Sequence, residues 1–131
     1  MPDIDIVIEV DAPEPVYEQI VRQIHDGVKT GRITPGAPLP TVRQLASDLE
    51  VNRNTVARAY KMLEDQGVIL TAGRKGTFVR QGATREVAKL KASHAHRAMS
   101  HVIERLRGDG LSREEIADVF KQALRVERSK G

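Results

Sequence analysis

The sequence predicts a mainly α fold with a small β-hairpin, an α+β arrangement, followed by a short two-helix module. Three observations predict it. Val16, Ile20, Ile24 and Val28 recur every four residues, the spacing of one helix face. Thr41 and Asn52 are cap-type residues, and each opens a short apolar-periodic run. Two strand-like runs, Val68-Ile69-Leu70-Thr71 and Thr77-Phe78-Val79, flank the basic, glycine-bounded tip Gly73-Arg74-Lys75-Gly76.

The elements follow in order. Ile4, Ile6, Ile8 and Val10 alternate with Asp5, Val7 and Glu9, which predicts a half-buried strand over 4–10. Pro13 and Pro15 end it. A helix of about four turns is expected over 16–30, with Tyr17 and Val21 beside its apolar stripe and Gly31 stopping it. Pro35-Gly36 reads as a turn. The next helix spans about 41–49, with Val42, Leu45, Ala46 and Leu49 facing inward. Thr41 and Gln44 have the spacing of a capping box. Glu50-Val51-Asn52 makes a tight turn into a helix over about 52–66, where Val56, Ala59, Tyr60 and Leu63 are the buried side. Gly67 ends that helix as a C-cap glycine. The hairpin over 68–79 completes a winged helix-turn-helix within residues 1–80.

Residues 81–84 read as a linker. Beyond it, Val87, Leu90, Ala95, Ala98, Val102 and Leu106 mark one face of a long helix. Gly108-Asp109-Gly110 breaks it. Ser112 and Glu115 form a second capping box before Ile116, Val119, Phe120 and Leu124. The tail from Arg125 to Gly131 is expected to fray. A two-helix hairpin of this size has little core, so residues 84–126 read as a dimerisation module in which Val87, Leu90, Ala98, Val102, Leu106, Ile116, Phe120 and Leu124 meet a second copy. Removing residues 84–131 is the test this boundary suggests.

Composition narrows the function. The 131 residues are 40% hydrophobic, 30% charged and only 3% aromatic, a soluble folded composition with an aliphatic core. There is no cysteine, which excludes disulfides and thiol chemistry and fits the cytoplasm. The acidic start Met1-Pro2-Asp3-Ile4-Asp5 is unlike a signal peptide, and no run is long enough for a membrane span. A net charge of +3 conceals five acids and no base in residues 1–15, with ten Lys/Arg against six Asp/Glu in 16–80. That bias suits a polyanion. No nucleophile–base pair, phosphate loop or carboxylate dyad stands at a recognisable spacing, so neither catalysis nor a cofactor is expected. His94 and His101 share a helix face but His96 does not, so no metal site is expected.

The helix–turn–helix order brings the candidate DNA-binding residues onto one surface. Arg53 follows the Asn52 cap and can form the bidentate guanine contact, worth about 1–3 kcal/mol of discrimination. Asn54 and Thr55 lie in the same turn, where exposed amides favour phosphate. Thr41 and Arg43 open the preceding helix, and Arg58 and Lys61 extend along the exposed side. Arg74, Lys75 and Gly76 form a wing tip suited to the minor groove.

Residues 16–79 resemble the DNA-binding domain of GntR-family transcription regulators. The carrying segments are Pro15-Val16-Tyr17-Glu18-Gln19-Ile20, Pro38-Leu39-Pro40-Thr41-Val42-Arg43-Gln44-Leu45-Ala46, Val51-Asn52-Arg53-Asn54-Thr55-Val56-Ala57-Arg58-Ala59-Tyr60, Leu63-Glu64 and Gly73-Arg74-Lys75-Gly76-Thr77-Phe78-Val79. The resemblance implies a homodimer on an inverted-repeat operator in double-stranded DNA, with contacts at Arg43, Arg53, Thr55 and the wing. The short tail resembles the YtrA subfamily, whose members are often linked to control of transporter genes. Much of the family has Arg where this chain has Ala57. The expected function is a dimeric repressor, with a small-molecule effector left open. The rival readings are a sequence-tolerant architectural DNA binder and a winged helix used for protein interaction.

Overall fold

The computed structural model describes the backbone of residues 4–130 and the side chains of 4–128. The acidic start at 1–3 and the end of the expected frayed tail at 131 lie outside the described residues. The order is α1 (Val16–Thr30), β1 (Pro38–Leu39), α2 (Val42–Leu49), α3 (Arg53–Asp65), β2 (Ile69–Thr71), a 3-10 turn (Gly73–Lys75), β3 (Thr77–Val79), α4 (Ala83–Gly108) and α5 (Arg113–Lys130). The chain forms two compact units, one ending at Leu90 and the other beginning at Lys91.

In the first unit, α1 buries Ile20, Val21, Ile24 and Val28 against Leu45 and Ala46 of α2 and Val56, Ala59, Tyr60 and Leu63 of α3. Each turn around α3 has a definite cause. The Thr41 hydroxyl accepts the Gln44 N–H at 3.0 Å and starts α2. The expected capping box is half made, because the Gln44 side chain donates to Asp48 at 2.7 Å instead of turning back. At the other end Glu50 is left-handed, with φ 56°, and bonds from Glu50 N–H to Ser47 and from Val51 N–H to Ala46 close the turn. The Asn52 carboxamide accepts the Asn54 N–H at 2.7 Å and starts α3. Gly67, with φ 78°, ends α3 through matching bonds, Gly67 N–H to Glu64 and Val68 N–H to Leu63.

The sheet has three strands, in the order β1-β3-β2, all antiparallel. The hairpin registers Ile69 with Val79 and Thr71 with Thr77. The third strand, Pro38–Leu39, has no expectation behind it in the sequence. Two residues are too few to show a period, and a proline within the pair and another directly after it argue against a strand. It forms because β3 offers a free edge, where Pro38 lies opposite Phe78.

The strand expected over 4–10 is not formed. Residues 4–9 do alternate, with Ile4, Ile6 and Ile8 against the core and Asp5, Val7 and Glu9 outward. No neighbouring strand receives them. The Ile6 N–H donates to the Ile4 carbonyl at 2.9 Å, and the backbones of Val7 and Glu9 bond to side chains of α1. Gln23 accepts the Val7 N–H at 3.0 Å and donates to its carbonyl at 2.8 Å. Gln19 does the same for Glu9, at 2.9 Å each way. The spacings match: four residues of helix rise about 6 Å, and two residues of extended chain about 6.8 Å. Two carboxamides on one helix face thus act as a short artificial strand.

The linker expected over 81–84 is also corrected. Helix α4 starts at Ala83, which is buried, and Val87 is 1% exposed within the first unit's core. Leu90 packs against that core as well. Val87 therefore does not belong to an exposed dimerisation face.

In the second unit, Gly110, with φ 98°, ends the preceding helix, and Ser112 and Glu115 exchange backbone–side-chain bonds at 2.9 and 3.2 Å to start α5. Ile116 is buried, and Leu106, Leu111 and Phe120 are half-buried. The fraying expected from Arg125 is replaced by helix to Lys130, a stretch without glycine or proline.

Candidate nucleic-acid interface

Helix α3 carries the centre of the site. Its buried side is Val56, Ala59, Tyr60 and Leu63, so at 100° per residue the opposite side is Asn54, Arg58, Lys61 and Asp65, with Ala57 at its edge and Arg53, the first residue, between the two sides. All of these outer residues are exposed, and Thr55 is half-buried. The helix is held in place from behind. The buried Tyr60 hydroxyl donates to the Pro40 carbonyl at 2.6 Å, tying the middle of α3 to the residue before the α2 cap. His25 of α1 meets Gln66, at the end of α3, at 2.8 Å.

The wing is tied to the same helix. The Thr71 hydroxyl at its base donates to Glu64 of α3 at 2.7 Å. At its tip the 3-10 turn leaves Arg74 and Lys75 exposed, and Gly76 takes φ 104°, a conformation that favours glycine. The Ala72 N–H donates to Gly76 at 2.8 Å and closes the tip.

Electrostatics separates these residues into two groups. Among the described residues, no carboxylate pairs with Arg43, Arg53, Arg58, Arg74 or Lys75, and all five are exposed. Lys61 differs: its ammonium lies 3.0 Å from Asp65, which raises its pKa through the hydrogen bond and the nearby charge. Thr41 and Asn52 are engaged as caps, so their side-chain oxygens already serve the protein backbone. The three tail histidines, His94, His96 and His101, are exposed along α4.

One contact at this surface has no signal in the sequence. The Arg58 guanidinium lies over the Tyr17 ring, 3.9 Å from its centre. The two residues come from α3 and the start of α1, and no local spacing rule links positions so distant.

Known proteins share this fold. The profile of the bacterial regulatory proteins of the gntR family matches residues 16–79. The chain is 36% identical to the HTH-type transcriptional regulator Rv1152 of Mycobacterium tuberculosis over 104 residues, 79% of this chain and 86% of that protein. It is 32% identical to the HTH-type transcriptional repressor YtrA of Bacillus subtilis over 117 residues, 89% and 90% of the two chains. Among solved structures, a transcriptional regulator from Oenococcus oeni superposes with a TM-score of 0.72 at 35% identity, covering 89% of this chain and 97% of that one. The DNA-binding domain of AraR, solved in complex with operator ORX1, superposes at 0.51 with 26% identity, over 60% of this chain and 99% of that one. Matched across its winged domain and along nearly the whole length of these regulators, the chain belongs to the GntR family of bacterial regulatory proteins, among its YtrA-like members.

Proposed function

We propose that the protein is a homodimeric repressor that reads an inverted-repeat operator through Arg53 and its neighbours on α3. The observation that carries this reading is the set of exposed cations that have no carboxylate partner among the described residues, on α2, α3 and the wing: Arg43, Arg53, Arg58, Arg74 and Lys75. An exposed cation without a partner keeps its full attraction for phosphate and releases counterions when it binds. Arg53, at the first position of α3, is the base reader, and the wing cations enter the adjacent minor groove.

Dimerisation is assigned to the second unit. Met99, Val102, Ile103, Val119 and Leu124 are large, apolar and exposed there. Two copies that cover this surface would set their recognition helices about one turn of DNA apart, roughly 34 Å. Repression, a cytoplasmic location and control of transporter genes extend the YtrA likeness. Transcript profiling of a strain lacking the gene tests that part. Among the described residues no helix is long and apolar enough to cross a membrane.

The direct test is selection from a random pool of duplexes with the full-length protein, followed by fluorescence anisotropy at fixed salt. An enriched inverted repeat, preferred over its shuffled version by about a thousandfold, is the expected result. Equal affinity for both would overturn the reading.

A further inference from the structure

We infer that Tyr17 is a positioning residue for DNA binding: its ring holds the Arg58 guanidinium in place so that α1 and α3 act together on one phosphate. The inference rests on the DNA-reading function proposed above and extends it to a residue outside the helix-turn-helix.

The argument begins with the second turn of α3. Ala57 has no donor there, so Arg58 supplies the charge on the outward side, one turn beyond Asn54. An exposed arginine is ordinarily spread over many rotamers, and fixing it on a phosphate costs side-chain entropy. Arg58 already has a partner that narrows its choice of rotamers. Its guanidinium stacks on Tyr17 at 3.9 Å from the ring centre. Tyr17 is itself fixed, because it is half-buried against the core at the start of α1.

The kind of partner matters. Lys61, the next cation along α3, is held by the carboxylate of Asp65, which partly cancels its charge. Arg58 is held by a neutral ring. Stacking occupies one face of the guanidinium, whereas its N–H groups point outward in its own plane. The full charge and those in-plane donors therefore remain available to a phosphate. The Tyr17 hydroxyl is turned to Glu18 at 3.0 Å, so the ring is the part that serves Arg58.

The test uses the full-length protein, a duplex carrying the selected inverted repeat and a shuffled duplex. Affinity is measured over a range of salt for wild type, Tyr17→Phe, Tyr17→Leu, Arg58→Gln and the double variant Tyr17→Leu/Arg58→Gln. Arg58→Gln is expected to weaken binding about tenfold and to lower the salt slope by about one for each half-site. Tyr17→Leu, which keeps the apolar volume, is expected to weaken binding about fivefold, and Tyr17→Phe to match wild type. The double variant is expected to be no weaker than Arg58→Gln alone, because the two changes remove one interaction. Thermal unfolding of each variant separates a folding defect from a binding one, and Tyr17→Met, which also lacks the ring, takes the place of Tyr17→Leu if that variant is unstable. Wild-type affinity in Tyr17→Leu, or losses that multiply in full in the double variant, would overturn the inference. A wild-type protein that does not distinguish the two duplexes would overturn the DNA-reading function as well, and that outcome is seen before any variant is made.

Discussion

Gln19 and Glu9 are joined by a reciprocal pair of hydrogen bonds: the Gln19 carboxamide accepts the Glu9 N–H and donates to the Glu9 carbonyl, both at 2.9 Å. Its second N–H donates to the Glu14 carbonyl at 2.8 Å. Gln19 is 2% exposed, a buried polar side chain whose amide hydrogens are both used. Leucine has a similar volume and none of these groups. Gln19→Leu is expected to destabilise the protein by about 1–3 kcal/mol and to release residues 4–10 from α1. Urea unfolding measures the first effect, and amide exchange at Val7 and Glu9 the second. Unchanged exchange at those two amides would show that the carboxamide does not hold the arm.

That pair also shows where sequence reading stops. The helices were legible because each has its own period and its own punctuation: Thr41 before α2, Asn52 before α3, Gly67 after it. The segment over 4–10 was legible as an alternating apolar face and misread as a strand. Its pairing groups are side chains of Gln19 and Gln23, on a helix that reads as ordinary amphipathic sequence. Pro38–Leu39 became a strand only because β3 has an open edge, a fact of tertiary structure. Val87 fits the apolar face of the long helix in sequence, yet it belongs to the first unit's core because α4 begins before the boundary between the units. In the candidate site, the charged residues were legible from the motif. Tyr17 was not, because its partner lies on another helix.

Glu50 makes the turn between α2 and α3 with φ 56° and ψ 44°, the left-handed conformation that glycine adopts most easily. It is exposed, and no side-chain bond of Glu50 is recorded among the described residues. Glu50→Gly relieves the backbone strain and loses part of the gain to greater freedom in the unfolded chain. A net stabilisation of about 0.5–1 kcal/mol is expected, visible as a higher Tm with unchanged DNA affinity. A lower Tm would mean that the Glu50 side chain contributes an interaction larger than the strain.

Tyr60 is buried, and its hydroxyl donates to the Pro40 carbonyl. Burial pushes its pKa well above the ordinary value near 10. The folded state therefore holds this proton more tightly than the unfolded state does. The associated stability is fully present below about pH 10 and is lost as the pH rises above it, where only the unfolded chain ionises. Tyr60→Phe is expected to cost about 1–2 kcal/mol near neutrality and to show less loss of stability between pH 9 and 11 than wild type. Denaturant titrations across that range test both statements. Parallel pH curves for the two proteins would remove Tyr60 as the source.

Arg53 stands at the first position of α3 without a carboxylate partner among the described residues. If it reads a base, Arg53→Ala is expected to reduce both affinity for the selected operator and preference over shuffled DNA, by about 1–3 kcal/mol. If it only meets phosphate, affinity would fall on both duplexes and the preference would survive. The ratio of the two dissociation constants, taken at one salt concentration, decides between these outcomes. A retained ratio would favour the architectural binder.

Val102 of α4 and Leu124 of α5 are 43% and 66% exposed, on a unit whose one buried large apolar residue among those described is Ile116. Glutamate at either position is compatible with an exposed helix in a monomer. Inside a dimer interface it would bury a charge without a partner, at a cost of several kcal/mol. If the proposed dimer forms through this surface, Val102→Glu and Leu124→Glu are expected to leave a monomer in sedimentation velocity with the fold of the first unit intact. Operator affinity should fall with them, because a monomer engages one half-site and loses the gain of linked binding. Point substitutions are the right probe here. A cut at residue 84 would remove Val87 from the first unit's core and damage the DNA-binding domain itself. A dimer that persists in both variants would place the interface elsewhere and end the assignment of dimerisation to α4 and α5.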